Sequence, residues 1–282
     1  MKKIPQKEIH KYLRHNKKFP HVWCPGCSDG IVLGATIRAI AEIGWEKDDC
    51  AMVSGIGCSS RMPVYVDFNT AHTLHGRAIA YATGIKMAKP SLNVCVVTGD
   101  GDASAIGGNH LIHACRRNIN LTVICINNHI YGMTGGQYSP TTPHDAIATT
   151  MPYGNIDNVF DLCKLTIGAG ATFVARTTAY HATEMQSIIK AGFEHNGFSF
   201  IEVMCACPVI YGKLNKQGDA PQMMRDLRDS YVPLITYEKL NADEKQGQFP
   251  RGIFKNEVAP EYSERYAALV ESLQSVKGEG DE

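Results

Sequence analysis

The stretch from Asn93 to Asn128 constrains the fold more than any other part of the chain. It contains two short apolar runs, residues 93–97 and 121–126, which are rich in β-branched side chains and end in turn residues. Runs of this kind predict buried strands, and the apolar spacing of residues 104–117 between them predicts a helix. A strand, a crossover helix and a second strand form a parallel pair. The stretch therefore predicts an α/β fold with a largely parallel sheet flanked by helices.

Polar residues follow both predicted strands. Asp100 lies between Gly99 and Gly101 after the first strand, and Asn128 ends an Asn-Asn pair after the second. The carboxyl ends of neighbouring parallel strands meet at one sheet edge, where open α/β sheets bind ligands. A carboxylate, an amide oxygen and a nearby backbone carbonyl suit a Mg2+ ion that also holds phosphate oxygens. The residues predict a site for a metal and a diphosphate, although they also fit an ordinary turn and a loop start.

Composition and charge exclude several classes of function. The 282 residues are 44% hydrophobic, which suffices for an extensive core, and 28 basic side chains balance 28 acidic ones. This balance gives no global field for nucleic acid or an acidic membrane surface. The sequence shows neither an apolar run long enough to span a bilayer nor the apolar region of a signal peptide. We expect a cytoplasmic protein with no nucleic acid or membrane as partner.

The chain has ten cysteines, and their surroundings divide them. Without a predicted secretion signal, thiols or metal ligands are expected in place of disulfides. Four lie inside apolar segments and predict small buried side chains, namely Cys95, Cys115, Cys125 and Cys163. Five lie in loops beside proline or glycine and are candidates for chemistry, namely Cys24, Cys27, Cys58, Cys205 and Cys207.

The Cys24-Pro25-Gly26-Cys27 segment precedes a predicted helix over residues 30–43, with Ser28 and Asp29 as its N-cap. A helix N-terminus lowers the pKa of nearby thiols, which suits a redox dithiol as well as a metal clip. A zinc ribbon needs a second CxxC segment, which the sequence lacks. The two HxxH pairs, at residues 72–75 and 110–113, lack a third nearby ligand and favour no metal site.

Further strand-like and helix-like segments extend the sheet. The predicted strands are residues 51–54, 171–175 and 198–203, and the predicted helices are residues 78–88, 158–168, 183–195 and 262–276. Residues 130–140 are too long and too glycine-rich for a plain turn, so they predict a binding loop or lid. Residues 212–260 are polar and predict an irregular segment with a short helix near 223–227. Residues 277–282 predict a frayed tail.

Six motifs in this order and spacing resemble the β subunits of 2-oxoacid:ferredoxin oxidoreductases. They are CPGC, GIGCSSR, HGRA, GDGDASAIGGNH, NNHIYGMTGGQYSPT and ACP, and they cover most of residues 23–216. Residues 211–221 are most similar to the branch that acts on 2-oxoglutarate. The resemblance implies a basic N-terminal arm (1–22), a thiamine diphosphate and iron–sulfur binding domain (23–210) and a C-terminal extension (211–282). The arm carries seven lysines and arginines against one acid and predicts a solvated segment or a docking arm.

The resemblance also implies the cofactor ligands. The side chains of Asp100 and Asn128 and the carbonyl of Ile130 would hold Mg2+, and a 4Fe-4S cluster would lie on Cys24, Cys27, Cys58 and Cys207, with Cys205 spare. Thiamine diphosphate would contact a larger set, namely Gly57, Cys58, His75, Gly99, Asp100, Gly101, Asn128, Ile130, Thr134 and Gly135. The glycines permit a close approach of the backbone, and Thr134 offers its hydroxyl to the diphosphate.

Two further residues are candidates for catalysis. His75, in the HGRA motif, is placed near the diphosphate or the reacting centre, although a hydrogen-bonded structural histidine has the same sequence appearance. Arg61, three residues after Cys58, is placed where it can grip the distal carboxylate of 2-oxoglutarate in bidentate fashion and select it over pyruvate. The alternative for Arg61 is a surface arginine.

The implied reaction is the reversible, coenzyme A-dependent oxidative decarboxylation of a 2-oxoacid, 2-oxoglutarate being favoured. Thiamine diphosphate carries the decarboxylation chemistry and the cluster passes electrons one at a time to ferredoxin. The family takes the glutamate that activates the cofactor from an α subunit, and the sequence has no matching glutamate. A hetero-oligomer such as a dimer of αβ is therefore expected. Two alternatives stay open, a non-redox thiamine-dependent decarboxylase or synthase subunit with structural zinc, and a non-enzymatic thiol-switch binding subunit.

Overall fold

A computed structural model describes residues 5–16 and 19–278, and these residues form an eight-stranded sheet, a small hairpin and flanking helices. The strands are β1 (Cys50–Ser54), β2 (Asn69–His72), β3 (Asn93–Gly99), β4 (Leu121–Asn127), β5 (Ile130–Tyr131), β6 (Gln137–Tyr138), β7 (Phe173–Thr178), β8 (Phe198–Met204), β9 (Tyr231–Pro233) and β10 (Phe249–Asn256). The α-helices are α1 (Gln6–His10), α2 (Asp29–Ile43), α3 (Ala78–Ala88), α4 (Gly108–Arg117), α5 (Leu162–Gly168), α6 (Ala182–Glu194), α7 (Ala220–Ser230), α8 (Leu234–Tyr237) and α9 (Tyr262–Gly278). Two 3-10 segments cover Lys47–Asp49 and Ser59–Val64, and two π-helical turns cover Asp102–Ile106 and Pro208–Gly212.

The strand order in the main sheet is β2-β1-β3-β4-β8-β7-β10-β9. Every pairing from β2 to β7 is parallel. The predicted α/β fold is therefore confirmed. β3 and β4 are direct neighbours, and their register pairs Gly99 with Ile126. The two polar segments that follow these strands consequently emerge side by side.

Helices cover both faces of the sheet because successive strand side chains point to opposite faces. On one face, Val97 of β3 and Ile124 of β4 pack with side chains of α2 and α6. On the other face, Val96 and Val123 of the same strands pack with side chains of α3, α4 and α5. The strands are buried on both faces, which explains their near-continuous apolar sequence.

The prediction that residues 212–260 are irregular is wrong. It contains α7, β9, α8 and β10, and β10 pairs antiparallel with β7 at the edge of the main sheet. The pairing shifts register between Ile253 and Lys255, and Gly252 has a φ of +131°. This bulged strand is half exposed, so its sequence lacks the regular alternation by which strands are recognised.

The prediction that the N-terminal arm is solvated is wrong for part of its described residues. Tyr12 is only 3% exposed, and its hydroxyl donates to the carbonyl of Trp45 at 2.8 Å. Leu13 forms an antiparallel bridge with Val66, so apolar contacts hold the arm against the domain. Residues 1–4 and 17–18 of the arm lie outside the described residues. At the other end, α9 continues to Gly278, and the rest of the predicted tail is not among the described residues.

Two predicted boundaries differ for local reasons. The helix predicted over 158–168 begins at Leu162, because the Asp161 side chain accepts hydrogen bonds from the backbone N–H groups of Cys163 and Lys164. The strand predicted over 171–175 lies at Phe173–Thr178. No helix in residues 5–16 or 19–278 combines the length and the apolarity that crossing a bilayer requires.

Candidate functional site

A cleft lies at the carboxyl ends of β1, β3 and β4. Nine of the predicted cofactor-binding residues line it, namely Gly57, Cys58, His75, Gly99, Asp100, Gly101, Asn128, Ile130 and Thr134. The tenth, Gly135, lies in the adjoining turn with a φ of +113°. The lining also includes Asp102, Tyr131 and Met133, which the sequence reasoning did not select. The structure thus brings together residues that are up to 77 positions apart in the chain, from Gly57 to Thr134.

Asp100 is a buried carboxylate at the floor of the cleft, with 2% of its surface exposed. The Ser139 hydroxyl donates a short hydrogen bond to its Oδ2 atom, and the Thr141 hydroxyl lies 2.7 Å from the same atom. Burial raises the pKa of Asp100, and the two hydroxyls partly offset that effect. A bound cation would offset it further, so the carboxylate is in a setting that favours a positive ion.

The two asparagines after β4 point in different directions. Asn127 is 2% exposed, and its Nδ2 donates to Glu202 Oε1 at 2.8 Å, away from the cleft. Asn128 lines the cleft, and its Oδ1 accepts the backbone N–H of Ile130 at 3.2 Å. An amide oxygen has two lone pairs, so this hydrogen bond leaves one for another partner. Asn128 is therefore the asparagine that faces the predicted metal position.

Asp102 and His75 form a hydrogen-bonded pair beside Asp100. The Nδ1 atom of His75 makes a short contact with Oδ1 of Asp102, and the ring of His75 lines the cleft. Asp102 is 3% exposed and lies in the π-helical turn that follows the Gly-Asp-Gly segment. π-helical turns are frequent at functional sites. The second aspartate of the GDGD sequence was the available signal, but its partner is 27 residues away in the chain.

Residues 130–136 form a turn that closes the cleft. The Tyr131 hydroxyl donates to the carbonyl of Gly101 at 2.9 Å, and a Cβ atom added to Gly101 would lie 2.2 Å from the Tyr131 ring. Only glycine fits at position 101, because that ring occupies the space of any side chain. The Thr134 hydroxyl donates to Gln137 Oε1 at 2.6 Å, so its proton is already engaged within the turn.

Four of the five loop cysteines lie near one another close to the cleft. A Cβ atom added to Gly132 would lie 3.6 Å from Cys58 Sγ and 3.7 Å from Cys207 Sγ, so both thiols border the space beside this glycine. Cys24 acts electrostatically on Cys58 and on Cys207, and Cys58 acts on Cys27. Cys205 differs from these four because it is 6% exposed and belongs to the apolar core. The cysteines predicted to be buried, Cys95, Cys115, Cys125 and Cys163, are all buried.

The prediction that the CPGC thiols have a lowered pKa is wrong for Cys27. Burial raises the pKa of Cys27, and the neighbouring Asp29 carboxylate raises it further. Burial likewise raises the pKa of Cys58 to about 12. α2 begins at Asp29, but the Ser28 hydroxyl does not cap it and instead accepts the backbone N–H of Ala206 at 3.0 Å. Because thiolates bind metals, a metal would have to displace these protons.

Asp29 adds an unpaired buried atom to this region. It is 1% exposed, its Oδ1 accepts a long contact from Cys27 Sγ at 3.4 Å, and its Oδ2 has no hydrogen-bond partner among the described residues. Burial raises the pKa of Asp29 to about 6. Buried polar atoms without partners are rare in folded proteins, so Oδ2 of Asp29 is an acceptor that the described residues leave unused.

Arg61 lies in the 3-10 segment after Cys58 and is exposed. Its Nη2 lies 3.8 Å from the sulfur of Met133, which lines the cleft, whereas Arg61 itself is not part of the lining. The guanidinium is therefore at the rim of the cleft, with its charge free of any carboxylate partner among residues 5–16 and 19–278.

A largely buried ion-pair network lies behind the cleft and contacts the residue before Asn128. Arg176 Nε donates to Glu202 Oε2 and its Nη2 donates to Asp161 Oδ1, each at 2.6 Å. Asp161, Cys163 and Glu202 have donor atoms close enough to hold a metal ion, but the Arg176 guanidinium already forms an ion pair with both carboxylates. Because Glu202 also accepts from Asn127, the network fixes the turn that carries Asn128.

Comparison with known proteins identifies this arrangement. Residues 55–203 match the family model described as thiamine pyrophosphate enzyme, C-terminal TPP binding domain. The chain is 49% identical over 265 residues to 2-oxoglutarate synthase subunit KorB of Methanocaldococcus jannaschii, covering 94% of this chain and 98% of that protein. It is 40% identical over 214 residues to subunit beta of 2-oxoacid:ferredoxin oxidoreductase 2 of Aeropyrum pernix, covering 76% of this chain and 69% of that one. The chain belongs to the β subunits of the 2-oxoacid:ferredoxin oxidoreductases.

A solved structure of the same family has a similar fold. The chain superposes with a TM-score of 0.84 and 36% identity on 2-oxoglutarate:ferredoxin oxidoreductase from Magnetococcus marinus, covering 94% of this chain and 90% of that one. The resemblance found in the sequence motifs is thereby confirmed, and the chain is an enzyme subunit with a thiamine diphosphate-binding domain, whose matched residues 55–203 include the whole lining of the cleft. Cys24, Cys27 and Cys207 fall outside the residues that match the general thiamine model.

Proposed function

We propose that this chain is the β subunit of a 2-oxoglutarate:ferredoxin oxidoreductase. Such an enzyme performs the reversible, coenzyme A-dependent oxidative decarboxylation of 2-oxoglutarate. The observation that carries the proposal is the position of Gly132, which lines the cleft and where an added Cβ atom would contact the sulfurs of both Cys58 and Cys207. An electron acceptor on these cysteines would lie directly against the cleft. The Magnetococcus marinus enzyme has been solved with 2-oxoglutarate, coenzyme A and succinyl-CoA bound, which supports the same substrates here.

We assign Mg2+ to Asp100, Asn128 and the carbonyl of Ile130. Both hydroxyl partners of Asp100 bind Oδ2, so Oδ1 is the oxygen assigned to the cation. Asn128 and Ile130 line the same cleft, and all three donors are oxygen atoms, which Mg2+ prefers. The raised pKa of the buried Asp100 carboxyl supports this assignment.

We assign a 4Fe-4S cluster to Cys24, Cys27, Cys58 and Cys207. Four thiolates from three separate loops are a ligand set that suits such a cluster. Cys58 and Cys207 border the space beside Gly132, and Cys24 and Cys27 are near enough to interact electrostatically with Cys58. The burial of Cys205 in the apolar core supports its omission. All ten cysteines are free thiols, which supports a reducing compartment such as the cytoplasm.

Thiamine diphosphate supplies carbanion chemistry at the 2-oxo carbon, and an iron–sulfur cluster supplies one-electron transfer. The residues of this chain bind and orient these groups. Gly57, with a φ of +118°, and Gly101 allow the backbone to approach the cofactor. The lining of the cleft contains two aspartates and no glutamate. We therefore propose that an α subunit contributes the activating glutamate, so that the active enzyme is a hetero-oligomer such as a dimer of αβ that reduces ferredoxin.

Metal content and electron transfer test this function together. We expect the anaerobically purified chain to be brown and to contain about four irons, and the enzyme assembled with its partner to reduce ferredoxin when given 2-oxoglutarate and coenzyme A. Cys207→Ala should lose the visible absorption and the ferredoxin reduction. Cys205→Ala should keep both, because Cys205 lies in the core.

Two other results would contradict the proposal. A colourless chain that contains zinc would favour the non-redox decarboxylase or synthase. A chain without metal that forms a reversible Cys24–Cys27 disulfide would favour the thiol-switch subunit. The names of the relatives, which are all oxidoreductases or 2-oxoglutarate synthases, favour neither alternative.

Substrate selection by Arg61 is tested separately. We expect Arg61→Ala to raise the KM for 2-oxoglutarate at least about tenfold, since a charge-assisted hydrogen bond contributes about 1.5–3 kcal/mol. The KM for pyruvate, which has no distal carboxylate, should change little. Arg61→Lys should have a KM for 2-oxoglutarate between those of the unaltered enzyme and Arg61→Ala, because lysine keeps the charge and loses the bidentate geometry. Equal effects on both substrates would remove the specificity role.

A further inference from the structure

We propose that Asp102 is a positioning residue that holds the proton of His75 on Nδ1 and thereby presents Nε2 to the cleft. The proposed function is needed only to say which reaction His75 takes part in. The protonation and orientation of the ring follow from contacts within this chain.

The carboxylate of Asp102 is saturated with donors. Its Oδ2 accepts the Thr98 hydroxyl at 2.6 Å, and its Oδ1 accepts the backbone N–H of Gly76 at 2.7 Å in addition to the short contact with His75. A second backbone group, the N–H of Ile56, lies 3.5 Å from Oδ1. The Gly76 N–H can only donate to Oδ1, so Oδ1 acts as an acceptor and Nδ1 of His75 is the donor in the contact between the two side chains.

The surrounding loops are shaped around this carboxylate. A Cβ atom on Gly55 would lie 2.2 Å from Asp102 Oδ2, so that position has no room for a side chain. Gly76, which follows His75, has a φ of +69°, and a Cβ atom there would lie 2.5 Å from the Ile106 side chain. Two glycines thus allow the loops after β1 and β2 to reach one side chain of the loop after β3.

The pairing decides which atom of His75 can act. Nδ1 is turned towards the buried carboxylate, so Nε2 is the ring nitrogen left for the cleft that the ring lines. The ring also packs edge to face against Tyr131, with 5.7 Å between centroids, which restricts its rotation. With the hydrogen held on Nδ1, His75 can accept a hydrogen bond from a cleft ligand at Nε2.

This role differs from that of a loop tie. A carboxylate that only joins loops would not determine which ring nitrogen of His75 carries the hydrogen. Its loss would lower turnover whether or not His75 is present. A carboxylate that acts through His75 has no effect once His75 is removed. The two possibilities therefore differ in a double-mutant cycle.

Neutron diffraction from deuterium-exchanged crystals of the assembled enzyme tests the proton position directly. We expect a deuteron on Nδ1 of His75 that points at Asp102, with Nε2 facing the cleft. A deuteron on Nε2 together with a bare Nδ1 would overturn the proposal. This measurement needs no variant and no turnover, so it decides the proposal even where a substituted chain does not fold.

Kinetics of the assembled enzyme supply the second test. We expect Asp102→Asn to lower kcat at least about tenfold, in the range found when a group that orients an active residue is removed. The double variant His75→Gln, Asp102→Asn should be no slower than His75→Gln alone.

Additive losses in the double variant would show that Asp102 acts independently of His75 and would overturn the positioning role. An assembled wild-type enzyme that oxidises no 2-oxoacid would instead contradict the proposed function. The neutron map would still decide the location of the proton, so the two failures are distinguishable.

Discussion

Asp100→Asn is expected to weaken the binding of thiamine diphosphate and Mg2+ by at least about a hundredfold and to reduce turnover to background. The loss of an indirect contact to a metal ligand costs about 10- to 100-fold in affinity, so the loss of a charged ligand should cost no less. Asparagine has the size of aspartate and keeps one oxygen, so the change removes the charge with little effect on packing. The Ser139 and Thr141 hydroxyls can rotate to meet the new amide, which preserves the hydrogen bonds below the cleft.

Calorimetric titration of the anaerobic chain with thiamine diphosphate in excess Mg2+ measures this loss. Asp48→Asn is the matched control, because Asp48 is an exposed aspartate in the segment before β1 and lies outside the cleft lining. The control should bind like the unaltered chain. If Asp100→Asn binds thiamine diphosphate with unchanged affinity at every Mg2+ concentration, Asp100 is not the metal ligand.

Arg176→Ala is expected to lower the free energy of unfolding by about 3–5 kcal/mol, because it removes one partner of a buried ion pair. Arg176 is 7% exposed and Glu202 is 2% exposed, so solvent cannot screen the carboxylate that remains. The same substitution withdraws the guanidinium from Asp161, which also caps α5. Urea denaturation of the full chain, followed by circular dichroism, gives the change in midpoint and slope.

Arg228→Ala is the control for this prediction. Arg228 also donates to a carboxylate at 2.6 Å, that of Asp229, but both side chains are exposed. Surface pairs of this kind contribute little because water and salt screen them. The denaturation midpoint should therefore stay unchanged in Arg228→Ala. Equal midpoints for the two variants would show that burial does not strengthen the Arg176 pair.

The sequence predicts the central fold and most of the cleft, because both follow from local patterns. β3 and β4 are apolar runs bounded by turns, and Asp100 and Asn128 directly follow them. Parallel pairing then places the two residues at one edge without any knowledge of distant contacts. The family motifs add Cys58, His75 and Thr134 to the cleft residues that the sequence predicts, and these three also line the cleft.

The features that the sequence does not reveal depend on partners far apart in the chain. Asp102 contacts His75 across 27 positions and Arg176 contacts Glu202 across 26, and neither spacing has a helical or strand period. The raised pKa of Cys27 likewise comes from burial, whereas its place before a helix predicts the opposite shift. β10 escapes prediction because its bulge and its half-exposed side chains hide the alternation.

A substitution at Gly132 should affect the folding of the chain and the insertion of its proposed cofactor differently. In the protein alone, an alanine methyl at this position would lie at ordinary contact distance from the sulfurs of Cys58 and Cys207. If these sulfurs hold the proposed cluster, a methyl group at position 132 would compete with the cluster for space. The effect of Gly132→Ala would then appear in the iron content of the protein and not in the folding of the chain.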